Sequence, residues 1–321
     1  ATCHLFKAAD AVKTAGEWFS AHRMRRLRHE DRDWLMAYLD REPAYNLFLI
    51  GDIENFGFDV PFQDLMAYRR EHSDRVDSVL LRYHSNFIVY SDLDDFETDP
   101  VLSALTYPGL NVLSAKKSVM DRLKPWLEDF RFRDMYLMRR SVSGPTNEND
   151  QAAWPAERSD DEGSPSDPAP HDGIVLATLA DASELAAFLH SIEEFRQIGT
   201  TLEQRTEEIN RSLSGTGTRY VLVHEGGRII ASAGTTAENS RSAMVIGVAT
   251  APDRRGLGLA SRLVSRLCAL HQMEGRDFLC LFYDNPSAGV IYRRLGFTDV
   301  GIWVMATPPK LPDMPLSHKK E

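Results

Sequence analysis

The run Arg254-Arg255-Gly256-Leu257-Gly258-Leu259-Ala260 concentrates the groups needed to hold a phosphorylated ligand. It stands where an apolar strand gives way to a helix. The first turn of a helix leaves backbone N–H groups without intrahelical partners and carries the positive end of the macrodipole. Glycines there let an anion approach those donors, and the guanidinium forks of Arg254 and Arg255 add fixed charge suited to phosphate oxygens. Further along, Asn285 and Pro286 open a helix that carries Tyr292. A phenol with an ordinary pKa near ~10 keeps its proton at neutral pH and can donate it. Each feature has a plainer reading, a tight turn with solvated arginines in one case and an aromatic core residue in the other.

The elements that must place these groups follow from periodicity. Tyr220 to Val223, a turn at Gly226-Gly227 and Arg228 to Thr236 predict an antiparallel hairpin. Ala243 to Thr250 reads as an apolar, β-branched strand, Leu257 to Met273 as a helix with Leu259, Leu263, Leu267 and Leu270 on one side, and Phe278 to Tyr283 as a second apolar strand. Strand, helix and strand in that order make a right-handed crossover with the two strands parallel. Asn285 as N-cap and Pro286 as first residue start the next helix, which runs to Leu295 and stops at Gly296, and Phe297 to Met305 closes the sheet.

Arg255 to Ala260 matches the R-x-x-G-x-G/A signature of the GNAT superfamily of acetyl-CoA-dependent N-acyltransferases. Asn285-Pro286-Ser287-Ala288-Gly289-Val290-Ile291-Tyr292-Arg293-Arg294-Leu295-Gly296-Phe297 resembles its N-x-x-A-x-x-x-Y-x-x-x-G-F segment, in the same order. The resemblance covers residues 174 to 305. Thr235-Thr236-Ala237-Glu238-Asn239 and Leu281-Phe282-Tyr283-Asp284-Asn285-Pro286 are similar to runs in a little-characterised bacterial branch of predicted acetyltransferases, and residues 24 to 140 resemble that branch's N-terminal, GNAT-like half. That half contains no R-x-x-G-x-G/A.

The resemblance implies an α/β (α+β) chain of tandem GNAT-like domains, each a mixed, partly antiparallel central sheet flanked by helices. It implies acetyl-CoA as cosubstrate and no metal. Backbone N–H groups of Arg255, Gly256, Leu257, Gly258, Leu259 and Ala260, with Arg254 beside them, would cradle the pyrophosphate. Val248, Ala249 and Thr250 would bond the pantetheine arm between splayed parallel strands, and Asn285 would contact the cofactor as well as cap its helix. Tyr292 would protonate the departing thiolate. A primary amine, with reference pKa values of ~8 to ~10.4, is mostly ammonium at pH 7, so attack requires a base. Glu238, just past the hairpin strand, is the first candidate, with Glu193 and Glu194 behind it, although each also reads as a solvated surface carboxylate. The acceptor, a small-molecule or peptide amine, is not legible in local patterns.

Composition sets the outer bounds. With 43% hydrophobic and 26% charged residues the chain has material for buried cores, and its length suggests two domains at ~150 residues each. Net charge is −10 at pH 7. That argues against nucleic acid or an anionic membrane as partner. Residues 143 to 172 hold eight acids, one base (Arg158) and five prolines with few large apolar residues, so an acidic, Pro-rich linker is expected there. The expected organisation is an extension over residues 1 to 23, a degenerate GNAT-like domain over 24 to 142, the linker, a catalytic GNAT domain over 173 to 307 and a tail over 308 to 321. Cys3, Cys268 and Cys280 form no CxxC pair, and no secretory signal or membrane span is evident, so a cytoplasmic protein is expected.

Sliding the chain by 150 residues lays Met24 to Leu39 over Ile174 to Leu189, with Asp31 on Asp181, Leu35 on Leu185, Ala37 on Ala187, Tyr38 on Phe188 and Leu39 on Leu189. Both stretches read as a short strand and a helix, the second opened by a capping box of Asp181 and Glu184. In the first half, Asp77 to Tyr90 reads as a hairpin turning at Ser85-Asn86, Lys116 to Phe130 as a helix and Arg131 to Met138 as a closing strand. Asn46 to Gly57 mixes apolar residues with Asp52, Glu54 and Asn55, which either line a cleft or cap and solvate a helix end. Two other functions stay open: a non-catalytic acyl-CoA sensor or interaction module, and a dinucleotide-binding oxidoreductase based on Gly256-Leu257-Gly258 with Asp284. The two arginines and the preceding hairpin disfavour the latter.

Overall fold

The computed structural model describes residues 23–70, 75–105, 109–143, 173–195 and 201–309. Nearly all of the expected extension, acidic linker and tail lies outside them. In chain order the elements are β1 (Arg25–Arg26), α1 (Arg32–Leu39), α2 (Leu47–Phe56), β2 (Gln63–Arg69), β3 (Val76–Tyr83), β4 (Asn86–Tyr90), α3 (Thr98–Ala104), β5 (Val112–Lys116), α4 (Lys117–Leu123) and β6 (Arg131–Ser141). There follow β7 (Ile174–Leu176), α5 (Ala182–Ser191), α6 (Leu202–Ser214), β8 (Arg219–Glu225), β9 (Arg228–Thr236), β10 (Ser242–Thr250), α7 (Leu259–Met273), β11 (Phe278–Tyr283), α8 (Pro286–Arg294) and β12 (Thr298–Thr307). No helix among the described residues is long and apolar enough to cross a membrane.

The chain forms two compact units that do not follow the halves of the sequence. Among the described residues, unit 1 takes those within 23–49, 56–135 and 301–309, and unit 2 those within 50–55 and 136–300. The boundaries differ from those expected because the closing strands are exchanged. Trp303 to Ala306 of β12 pair antiparallel with β5 in unit 1, and Tyr136 to Ser141 of β6 pair antiparallel with β11 in unit 2. Phe297 to Met305 therefore does not close the sheet of its own half.

In unit 1, β1 to β4 run antiparallel and β4 pairs parallel with β5. Leu80, Phe87, Phe96, Val101, Leu113, Met120 and Val304 fill its core. The hairpin turns at His84-Ser85, with His84 at φ 52°, one residue before the expected place. The helix expected from Lys116 to Phe130 ends at Leu123 and tightens into a single 3-10 turn over Lys124–Trp126. Pro125 is the cause, since it has no N–H to donate and its ring crowds the preceding turn.

In unit 2, β7 to β10 run antiparallel, the β8–β9 hairpin turns at Gly226 (φ 58°) and Gly227 (φ 75°), and β10 pairs parallel with β11. The stripe expected on α7 holds, with Leu259, Leu263 and Leu267 buried in a core shared with Leu185, Val221, Ala233 and Leu279. The residues paired by the 150-residue shift do the same work. Asp31 Oδ2 accepts from Arg28 N at 2.9 Å, and Asp181 Oδ2 accepts from Thr178 N at 2.7 Å, each closing a 3-10 turn ahead of a helix. The capping box is thus Thr178 with Asp181. Glu184 does not take part and accepts instead from Ile229 N at 2.7 Å.

Candidate functional site

The parallel strands of unit 2 part company. Ser242 to Val245 pair with Phe278 to Leu281, and there the ladder ends although β10 continues to Thr250 and β11 to Tyr283. The reason lies on the other edge of β10. Its register with β9 shifts between Ile246 and Ala249, where Gly247 adopts φ 58° and its carbonyl accepts from Ser232 Oγ at 2.8 Å. A bulge re-aims a strand. Ile246, Gly247 and Val248 stay half-buried, while Ala249 and Thr250 pair with Ser232 and Ala231 and so have their far edge turned to the opening.

The strand leads into the glycine turn. Gly256 (φ 82°) and Gly258 (φ 74°) are both in the left-handed region, and a Cβ on either would meet no atom within 4 Å. Gly258 is the N-cap of α7 and offers no side-chain cap. Among the described residues, the helix start is therefore an open cradle of backbone with no side chain folded into it. Leu257 is 64% exposed, Ala260 half-buried, and Leu259 turns inward to anchor the helix in the core. Arg254 pairs with Glu225 and Asp253, and Arg255 with Glu194 Oε1 at 3.1 Å. The Arg255 pair is solvent-exposed and worth about 0–1 kcal/mol, so phosphate can displace it readily. The open cradle, two cations beside it and the unpaired edge of β10 fit a CoA diphosphate and its pantetheine arm.

Asn285 does cap α8, accepting from Ser287 N at 2.9 Å, with Pro286 as its first residue. Tyr292 is 8% exposed and packs edge-on to Tyr283 and Phe297, with ring centroids 6.1 Å away in both cases. Burial pushes its phenol up to about 12. It is at once a core residue and a phenol that keeps its proton at neutral pH.

Glu238 is placed differently from its expected role. Its carboxylate is buried and accepts from Arg219 Nε (2.8 Å) and Nη2 (2.6 Å), Arg276 Nη1 (2.9 Å) and Thr235 Oγ1 (2.5 Å). Burial works to raise its pKa, but the Arg219 hydrogen bonds and the charges around it bring it below the ordinary value. A carboxylate held this way is a poor proton acceptor at neutral pH. Buried His271 completes the cluster. Arg276 Nη1 lies 2.7 Å from its Nδ1 and Thr235 Oγ1 3.2 Å from its Nε2, and burial, aided by the two arginines, pushes it down to about 4. Glu238, His271 and Glu274 could bring one metal-ligand atom each within 4.8 Å of one another, but the guanidiniums of Arg219 and Arg276 already supply the positive charge there. Glu193 lies in a 3-10 turn with Glu194, which pairs with Arg255 as above.

Asp52 is a residue whose chemistry local patterning left undecided. It belongs to the part of α2 grouped with unit 2, and burial pushes its carboxyl up to about 7. Its type was visible in the sequence, its surroundings were not. In unit 1 the corresponding parallel pair, β4 and β5, stays in register from Asn86–Val112 to Val89–Ala115, within one residue of the end of both strands. The segment that follows β4 carries Asp92, Asp94, Asp95 and Glu97 where unit 2 has Arg254 and Arg255.

Residues 216–299 match the family model described as the acetyltransferase (GNAT) domain. A Drosophila protein of known structure is similar with TM-score 0.59 and 11% identity, over 90% of this chain and 99% of that one. A GCN5-related N-acetyltransferase from Sphaerobacter thermophilus is similar with TM-score 0.54 and 14% identity, over 90% and 96%. A tandem GNAT protein from the clavulanic acid biosynthesis pathway is similar with TM-score 0.51 and 16% identity, over 91% and 99%. At these identities the likeness is one of fold. No curated protein matches the sequence.

Proposed function

The chain has the tandem GNAT fold with a GNAT acetyltransferase domain over residues 216–299, and from that premise we propose that unit 2 transfers an acetyl group from acetyl-CoA to a primary amine. The observation that carries this reading is the parting of β10 from β11 after Val245 and Leu281, in line with the open Gly256–Gly258 cradle. The thioester supplies an activated acyl carbon. Arg254, Arg255 and the N–H groups from Arg255 to Ala260 hold the diphosphate, the Val248–Thr250 edge aligns the pantetheine amides, and Asn285 holds its helix against the same cleft. The neutral amine attacks the carbonyl carbon, the C–S bond breaks, and the proton shed by nitrogen balances the one taken up by sulfur.

Tyr292 serves the departing sulfur. Its phenol enters protonated, and at about 12 it is a weaker acid than a thiol of ordinary pKa ~8.5. It therefore hydrogen-bonds the developing thiolate, and any proton it gives up is replaced from the amine. Binding the pair in one site converts attack into an effectively unimolecular step. The test is release of free CoA thiol from acetyl-CoA by the full chain across classes of amine, alongside calorimetry with CoA. Binding with amine-dependent release is expected. CoA binding without release by any amine would favour the sensor reading, and no CoA binding would remove both.

A further inference from the structure

Arg205 stands on the inward face of α6. It and Ile209, one turn further on, are the buried residues of that helix, so a guanidinium occupies a place that an amphipathic pattern gives to an apolar side chain. Arg205 is 9% exposed. A guanidinium carries five N–H donors. Nη2 donates to the Phe195 carbonyl at 2.9 Å, while Nε is buried and has no hydrogen-bond partner. Among the described residues no carboxylate forms an ion pair with it, and Glu208, the acid one turn along the helix, is exposed. A cation drawn out of water without a counter-charge is costly, and an unmet buried donor adds to the cost. Packing of α6 alone gives no return for either.

Two tethers tie this guanidinium to the cleft. Phe195 ends the 3-10 turn Glu193–Phe195, and the residue before it, Glu194, pairs with Arg255 beside the glycine cradle. Tyr220 supplies the other. Its ring crosses Gly234 and reaches the β10 bulge, where a Cβ on Gly247 would stand 2.7 Å from Cε1 and 3.5 Å from the hydroxyl oxygen. The Arg205 charge bears on that phenol, working against the burial that raises its pKa. Arg205 is thus bonded to the turn that flanks the cradle and lies within electrostatic reach of the ring that backs the bulge. We infer that Arg205 receives a carboxylate of the acceptor, so that the preferred substrates are amino acids. This rests on the acetyltransfer reading above and adds the class of acceptor to it. A carboxylate supplies both the missing charge and planar acceptors that match the guanidinium fork. In a setting of lowered dielectric such a pair is worth more than on an open surface. The bond to the Phe195 carbonyl already fixes the side chain, so little ordering is required when the carboxylate binds.

The experiment measures thiol release from acetyl-CoA by the full chain over α- and ω-amino acids, each paired with its own carboxamide, and resolves kcat from KM. The favoured amino acid should exceed its amide by about tenfold or more in kcat/KM, mainly through KM, the scale of a hydrogen bond to a charged group. Arg205→Gln, which keeps a donor for the Phe195 carbonyl and removes the charge, should bring that ratio close to one while CoA affinity stays as it was. Arg205→Lys should keep part of the preference. A ratio near one for every pair in the wild type, or an undiminished ratio in Arg205→Gln, overturns the inference and leaves acetyltransfer standing. Calorimetry of the favoured amino acid and its amide with the CoA-bound wild type reads the site without turnover and without reliance on a variant that folds. Binding of the amino acid about tenfold tighter or more supports the inference, and absent or equal binding overturns it. Failure of the wild type to bind CoA counts instead against the acetyltransfer reading, and the titration is then run on the CoA-free chain with the same two outcomes.

Discussion

The ring of Tyr220 lies where a side chain on Gly247 would have to stand: a Cβ there would be 2.7 Å from Tyr220 Cε1. The same ring covers Gly234, whose Cβ would be 2.6 Å from Cδ1, so one buried tyrosine determines two glycines on adjacent strands. Gly247 also has φ 58°, which a side chain disfavours by about 1–2 kcal/mol. Gly247→Ala should therefore destabilise the protein by about 2–4 kcal/mol, overpacking included, and flatten the bulge that parts β10 from β11. Thermal denaturation should show the first effect. Calorimetry should show the second as weakened CoA binding, and undiminished affinity in a folded variant would mean that the bulge does not shape the cleft.

Arg255→Ala and Gly258→Asp address the cradle. The Arg255–Glu194 pair is exposed, so the first variant should change stability by less than about 0.5 kcal/mol while CoA affinity falls by about tenfold or more, the scale of a charged hydrogen bond. Gly258→Asp places a carboxylate against phosphate and should be worse. Each wild-type chain should bind one CoA, because the segment after β4 offers acids in place of arginines. Two equivalents per chain, or unchanged affinity in both variants, would relocate the site.

Tyr292→Phe should lower turnover by about 10²-fold or more with CoA affinity retained, the usual scale for loss of a positioned proton donor. Stability should hardly change, since the ring stays and its contacts with Tyr283 and Phe297 are those of carbon. Full activity in this variant would leave Tyr292 as packing.

His271 and Asp52 should give the stability of unit 2 opposing pH slopes. His271 falls from 6.5 to about 4 on folding, so its contribution is complete above about 6.5 and is lost as pH drops toward 4. Asp52 rises from 3.8 to about 7, so its penalty is absent below about 4 and complete above about 7. Between pH 4 and 6.5 the two nearly cancel. Denaturant titrations should show Asp52→Asn gaining stability as pH rises through that window and His271→Gln losing it, with slopes of up to about 1.4 kcal/mol per pH unit. A flat profile in both variants would show that neither group is buried as described.

The legible part of the molecule is the part governed by neighbours in sequence. The β8–β9 hairpin, the buried stripe of α7, the Asn285-Pro286 cap and the alignment of Asp31 with Asp181 all depend on contacts within a few residues or on a period of 2 or 3.6. The helix after Lys116 is shorter than its apolar spacing predicts, because Pro125 interrupts the backbone hydrogen bonding while the spacing runs on past it.

Local order in the chain thus determined the crossover, the glycine turn and the tyrosine on its capped helix, since backbone dihedrals and helix ends respond to the residues beside them. Tertiary structure alone decided that β12 pairs with β5 and β6 with β11, that Glu238 is absorbed by Arg219 and Arg276, and that burial raises the pKa of Asp52. Strand partners and the dielectric around a carboxylate are set by groups up to two hundred residues away, and no window of sequence contains them.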